Sequence, residues 1–167
     1  FRSQNVVCST KEGDCPTVID ITPEQFRRPG LFPAGRLDKD TEGFVLLTDD
    51  GALAHRMLSP GSHVPKTYFV RLERPWEDSY ADAFSSGLEI DGGEKCLPAQ
   101  FRGLLKENEC ELILHEGKFH QVKRMFEALG NKVIYLKRTK IGALSLDESL
   151  PLGEVKEIED TALLETK

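Results

Sequence analysis

Nine residues, Gly35-Arg36-Leu37-Asp38-Lys39-Asp40-Thr41-Glu42-Gly43, crowd three acids and two glycines between a proline-rich stretch and an apolar run. Glycines let the backbone turn sharply and allow a ligand to come close. Asp38 lies at the mouth of the apolar run, where a carboxylate can be held rigidly beside a cleft. The same residues can form a plain acidic turn whose Asp side chains bond their own backbone. They also match a calcium loop: Asp38, Asp40, Glu42 and Gly43 stand at positions 1, 3, 5 and 6, and Asp49 at position 12. Against calcium, such a loop needs a helix before it, and Pro29, Gly30, Pro33 and Gly35 stand there. Its second half, Phe44 to Asp49, reads as a strand.

A second segment, Glu116-Gly117-Lys118-Phe119-His120-Gln121-Val122-Lys123-Arg124-Met125-Phe126, has helical spacing. At about 100° per residue, Phe119, Val122, Met125, Phe126 and Leu129 share one apolar arc. Lys123 falls just beyond the edge of that arc, next to Phe119, and Arg124 falls well round toward solvent. Lys123 can therefore enter a cleft with its stem packed and its ammonium reaching a carboxylate. The alternative is a surface pair with Glu127 at i+4, worth only a few tenths of a kcal/mol. Sequence leaves both open.

The elements that would carry these segments follow from punctuation and periodicity. Pro16, Pro23, Pro29, Gly30, Pro33 and Gly35 predict loops over the first thirty-five residues, with at most one short helix near Pro23 to Arg28. Val6-Val7-Cys8 is strand-like. Phe44 to Thr48 predicts a buried strand. Asp49 or Asp50 can cap a helix running to about Leu58 and stopping before Pro60. Lys66 to Glu73 alternates as a strand, and Glu77 to Ser86 reads as a helix ended by Gly87. Leu88 to Ile90 and the turn Asp91-Gly92-Gly93 follow. Gln100 to Leu105 and Glu109 to His115 read as paired strands. A helix is predicted from about Lys118 to Leu129, stopped by Gly130-Asn131. Lys132 to Lys137 and a final pair of short strands close the domain. The class is α+β with a mainly antiparallel sheet.

Composition sets the bounds. The 167 residues suffice for one domain, or for two intimately packed lobes. With 39% hydrophobic and 30% charged residues the chain reads as soluble and globular, with no apolar run long enough to span a bilayer. Phe1 to Thr10 does not read as a signal peptide. Cys8, Cys15, Cys96 and Cys110 include no closely spaced pair, which argues for buried reduced thiols in a cytoplasmic protein over a zinc site. A net charge of −6 argues mildly against nucleic acid, but Lys118, Lys123, Arg124, Lys132, Lys137, Arg138 and Lys140 face only Glu127 across that stretch. An acidic domain can still present a basic face.

The two segments, with others in the same order, resemble the RsuA-type branch of the pseudouridine synthases. Gly35-Arg36-Leu37-Asp38, Thr41-Glu42-Gly43 and the strand into Thr48-Asp49-Asp50-Gly51 are similar to the family's catalytic-aspartate motif. Ser59-Pro60 through Lys66-Thr67-Tyr68 is similar to its second motif, which presents an active-site tyrosine. Glu116-Gly117 through His120-Gln121-Val122-Lys123-Arg124-Met125 is similar to its third. Ile141-Gly142 and Leu150 to Glu154 match its closing strands, so the likeness covers Val6 to about Ile158.

The resemblance implies the pseudouridine synthase fold, a mixed, mainly antiparallel sheet flanked by helices and loops with a cleft across it. It implies that a uridine in RNA is isomerised without cofactor or metal. Asp38 would be the nucleophile, at uracil carbon 6 or the ribose anomeric carbon. Lys123 would be the cation that keeps Asp38 ionised in a site that excludes water, and Tyr68 the ring that stacks on the uracil and relays the carbon 5 proton. Arg36, Lys66, His120, Gln121, Arg124 and Arg138 are the RNA-binding candidates, Arg36 having a plain pairing with Asp40 or Glu42 as its alternative. Ribosomal RNA or a ribosome assembly intermediate is the expected partner, small-subunit RNA ahead of large-subunit RNA, and the expected state is a monomer. Two departures accompany the likeness. The S4-like RNA-binding domain that usually precedes the catalytic domain is not in this sequence, and an opening strand with a Lys-Pro element reads as incomplete at Phe1 to Asn5. A non-catalytic RNA-binding domain of the same fold is the rival from another class.

Overall fold

A computed structural model describes residues 6–9, 15–62 and 64–164; Phe1 to Asn5, with the incomplete opening strand, lie outside them. The strand-like Val6-Val7-Cys8 makes a single parallel bridge, Val7 to Thr17, while Val6, Cys8 and Val18 pack into the larger of two cores. One 3-10 turn, Glu24–Phe26, is the short helix of the proline-rich region. Three short strands follow: β1 (Phe32–Ala34), β2 (Glu42–Gly43) and β3 (Leu46–Thr48).

The strand expected over Phe44 to Thr48 forms as β3, shortened to Leu46–Thr48, and β2 lies just before those bounds. β2 pairs in parallel with a strand from the far end of the chain, and β3 pairs antiparallel with β1. Gly43 makes the parallel pairing of β2 possible. Its φ is +111°, and a Cβ there would sit 2.2 Å from the carbonyl oxygen of Arg138. The close approach that this glycine permits is therefore that of a neighbouring strand, not of a ligand. Gly43→Ala should destabilise the protein by about 3 kcal/mol, from the strained φ and the backbone clash together. Thermal melting should fall by roughly 10 °C, and an unchanged melt would show that the two strands can separate at little cost.

Helix α1 (Gly51–Leu58) begins at Asp50, whose carboxylate accepts from the amides of Ala52 and Leu53 at 2.8 and 2.9 Å. Then come β4 (Lys66–Leu72), α2 (Ser79–Ser85), and β5 (Glu89–Ile90) with β6 (Glu94–Lys95) around the turn at Asp91–Gly93. β7 (Gln100–Gly103), β8 (Glu109–Leu114), α3 (Gln121–Ala128), β9 (Val133–Ile141) and β10 (Leu144–Ser145) complete the order. The main sheet runs β10-β9-β4-β8-β7, antiparallel throughout, with β2 added in parallel on β9. The arrangement is α+β, as the strand and helix patterns predicted.

Alternation along β4 explains the larger core. Tyr68, Val70 and Leu72 are buried among Phe84 of α2 and Val122, Met125 and Phe126 of α3. A second core gathers Phe44, Leu46, Leu53, Met57, Ile141 and Leu164. Three further expectations need correction. α3 starts at Gln121 rather than Lys118, because His120 takes a left-handed backbone that no helix continues through. β9 runs on to Ile141, drawn out by its pairing with β4. One short strand follows it rather than two, and Leu150 to Glu154 form turns.

All four cysteines are free, with Cys8, Cys96 and Cys110 buried. Burial pushes the Cys110 thiol up to about 12, with help from the neighbouring Glu111 charge. A thiol reagent at pH 8 should therefore modify Cys15 first and leave Cys110 untouched until the chain unfolds, which mass spectrometry of the labelled protein would read. No helix among the described residues is long and apolar enough to cross a membrane.

Candidate active site

Asp38 stands at the first corner of a turn, fixed on both sides. Leu37 before it is buried in the larger core, and its amide donates to the Cys8 sulfur at 3.3 Å. Thr41 after it is buried, and its amide donates to the Asp38 carbonyl at 2.9 Å. β2 then anchors the chain to β9. The backbone of the acid is thus set by the core, while its side chain stays 25% exposed.

α3 delivers the opposing charges. The Lys123 ammonium lies 3.4 Å from Asp38 Oδ2 and 2.5 Å from Asp40 Oδ1, with its side chain 20% exposed. His120 Nε2 lies 3.5 Å from Asp38 Oδ1. Lys123 therefore enters the cleft as the edge position on α3 allowed, and its partners are these two acids rather than Glu127. Asp40 is the component that sequence reasoning missed. An Asp-x-Asp spacing inside one turn was the available signal, since it brings two carboxylates within reach of one cation. Burial raises the Asp40 carboxyl, but the Lys123 hydrogen bond and charge outweigh it and hold the group below its usual range, with His120 adding to the effect.

Tyr68 sits on β4, buried in the same core as Leu37 and Val122. These are the residues that immediately precede Asp38 and Lys123, so one apolar cluster underlies all three catalytic candidates. Arg36 is exposed, beside Asp38 in sequence. Its alternative pairings are not made: Asp40 is taken by Lys123, and Glu42 accepts from the Tyr135 hydroxyl at 2.6 Å.

The structure redistributes the remaining RNA-binding candidates. His120 is at the site. Lys66 is half-buried and donates to the Val64 carbonyl at 3.0 Å; burial lowers its pKa, and the nearby Arg138 charge lowers it further. Arg138 is only 3% exposed and donates from Nε to the Phe44 carbonyl at 2.8 Å, which ties β9 to the loop after Gly43. Gln121 is buried too. Its amide oxygen accepts from the Lys118 amide and its nitrogen donates to Glu116, closing the loop before α3. Arg124, expected toward solvent, is held by Asp91 at 2.6 Å and Glu94 at 2.8 Å. In this structure Arg138, Gln121 and Arg124 are all held by hydrogen bonds within the fold. For the same reason the basic run is largely neutralised: Lys118 pairs with Glu94 at 3.0 Å and Lys137 with Glu148 at 3.1 Å.

Phe119 departs furthest from expectation. Placed by periodicity on the buried arc, it is instead 73% exposed. The calcium reading also fails on geometry. The segment from Asp38 to Asp49 is preceded by β1 rather than by a helix and contains β2 and β3, and among the described residues no three metal-ligating groups cluster. A cavity of about 600 Å³ does open between β3 and the segment 144–163, but it includes none of Asp38, Tyr68 and Lys123.

An acid fixed by its backbone, a cation beside it and a buried aromatic on the adjoining strand suit nucleophilic attack on a base held in a cleft. The family model for RNA pseudouridylate synthase matches residues 3–128. The chain is 46% identical, over 97% of its length and 69% of the other's, to the uncharacterized RNA pseudouridine synthase YtzG of Bacillus subtilis. It is 47% identical to ribosomal small subunit pseudouridine synthase A of Vibrio cholerae, over 93% of its length and 67% of the other's. A crystal structure of a pseudouridylate synthase superposes with a TM-score of 0.88 at 44% identity, covering 97% of this chain and 69% of that one. The chain thus spans about two thirds of the length of these relatives.

Proposed function

Since the chain belongs to the RNA pseudouridylate synthase family, we propose that it converts a uridine of ribosomal RNA to pseudouridine with Asp38 as nucleophile. Small-subunit RNA is the first candidate, on the strength of relatives named for that substrate in Vibrio cholerae and Haemophilus influenzae. The protein acts as a cytoplasmic monomer and takes no cofactor. The observation that carries the role of Asp38 is its fixed turn, with Lys123 3.4 Å from the carboxylate.

The target nucleotide leaves its stack and enters the cleft, which costs a few kcal/mol. Asp38 attacks uracil carbon 6 or the ribose anomeric carbon, and the glycosidic bond breaks. The base turns and rejoins the ribose through carbon 5, the bond to Asp38 breaks and frees the carboxylate, the carbon 5 proton departs, and uracil nitrogen 1 ends protonated. Tyr68 packs against the uracil and relays the carbon 5 proton. Lys123 sets its ammonium against the Asp38 carboxylate at 3.4 Å. Arg36 holds a backbone phosphate or fills the space left by the flipped nucleotide.

Release of tritium from RNA labelled at uracil carbon 5 tests the reading. Small-subunit transcript, large-subunit transcript and partly assembled particles are offered separately. Release from small-subunit RNA or particles is the expected result. Release from large-subunit RNA alone would move the substrate, and binding of RNA without any release would favour the non-catalytic rival.

A further inference from the structure

Phe119 is presented to solvent by a loop that is held on every side. Its carbonyl accepts from Arg124 Nη1 at 3.1 Å, and Arg124 is itself fixed by Asp91 and Glu94. On one side Lys118 is tied through its ammonium to Glu94 and through its amide to Gln121. On the other, His120 has φ +49°, the only positive φ of a non-glycine among the described residues. A scattered exposed apolar side chain needs no explanation. An exposed phenyl ring in a pinned loop, next to a strained residue that touches the candidate nucleophile, does need one.

The two rings lie face to face, with centroids 3.9 Å apart and planes 16° from parallel. His120 points its Nε2 to Asp38 at 3.5 Å. One face of Phe119 thus rests on His120, and the exposure of its side chain leaves the rest of the ring open. From the open ring inward the order is phenyl, imidazole, carboxylate.

We propose that Phe119 and His120 form a stacking platform at the rim of the Asp38 site, which receives an unpaired RNA base flanking the extruded uridine. The proposal rests on the reading of the protein as an enzyme acting on RNA. Every base has a π face, so such a platform tolerates any sequence. It compensates the flanking nucleotide for the stacking lost when its neighbour leaves the helix. His120 backs the ring and sets its distance from the nucleophile, and the left-handed turn supplies the geometry that brings neighbouring rings into register.

The test compares wild type with Phe119→Ala, Phe119→Leu and Phe119→Tyr. The probes are a single-stranded oligonucleotide carrying 2-aminopurine next to a uridine, and small-subunit rRNA transcript. Phe119 is exposed, so the variants should keep the wild-type melting temperature. Wild type and Phe119→Tyr should quench 2-aminopurine on binding. Phe119→Ala and Phe119→Leu should lose that quenching and bind both RNAs about tenfold more weakly, with KM rising and kcat retained. Unchanged affinity and quenching in the Leu variant would overturn the platform. So would a loss of kcat alone, which would place Phe119 in the chemistry. Quenching is read at binding, so a wild-type protein that quenches but releases no tritium would fail the proposed function while keeping the platform.

Discussion

Asp38→Asn should lower tritium release from labelled rRNA by at least about 10³-fold, while melting temperature and RNA affinity stay near wild type. The amide is isosteric with the carboxylate but cannot act as the nucleophile. The turn that holds residue 38 depends on backbone bonds, through the carbonyl to Thr41 and through Leu37 to Cys8, and none of these involves the carboxylate. Circular dichroism and filter binding would establish that fold and affinity survive. Residual turnover within tenfold of wild type would place the nucleophile elsewhere, and Asp40, two residues on and closer to Lys123, would be examined next.

Lys123→Met should reduce kcat by about 10²-fold or more with little change in KM for RNA. Methionine keeps the apolar stem along α3 and removes the charge. Asp38 and Asp40 are then left together without the cation they share. Asp40→Asn should cost less than tenfold, because Lys123 remains and is free to turn fully toward Asp38. Equal losses in Lys123→Met and Asp40→Asn would make the Lys123–Asp40 bond the one that matters. Full turnover in Lys123→Met would end the pairing of Lys123 with Asp38. The depressed Asp40 carboxyl sets the pH range of this contact. A carboxyl lowered on folding contributes stability above its unfolded value near 3.8, and that contribution is lost as pH falls through the lower folded value. At neutral pH the contact is complete, so an acid limb in the activity profile would belong to another group.

Much of the architecture was legible because it rests on local signals. The cap at Asp50, the alternation of β4, the hairpin turn at Asp91-Gly92-Gly93 and the stop at Gly130 each follow from neighbouring residues. Lys123 could be placed at the edge of its helix by periodicity alone. What sequence did not reveal depends on partners far along the chain. Arg124 was expected toward solvent because nothing near it shows that Asp91 and Glu94 fold back to it, 33 and 30 residues away. Nothing near Arg138 in sequence shows that it ties β9 to Phe44, 94 residues earlier. Phe119 fitted an apolar arc only so long as the helix was taken to include it; the left-handed residue at 120 removes it from that arc.

The parallel pairing of β2 with β9 carries a consequence for biosynthesis. Asp40 and Lys123 are 83 residues apart, and the acid's loop gains its anchor on the main sheet only when Arg138 arrives to meet Gly43. A chain still emerging from the ribosome can therefore hold every catalytic side chain and yet have no site. Competence comes late and all at once, when the last long strand docks. Contacts of such separation also slow folding relative to local ones. Catalytic onset is thus a reporter of completed topology, and a chain truncated between α3 and β9 should release no tritium.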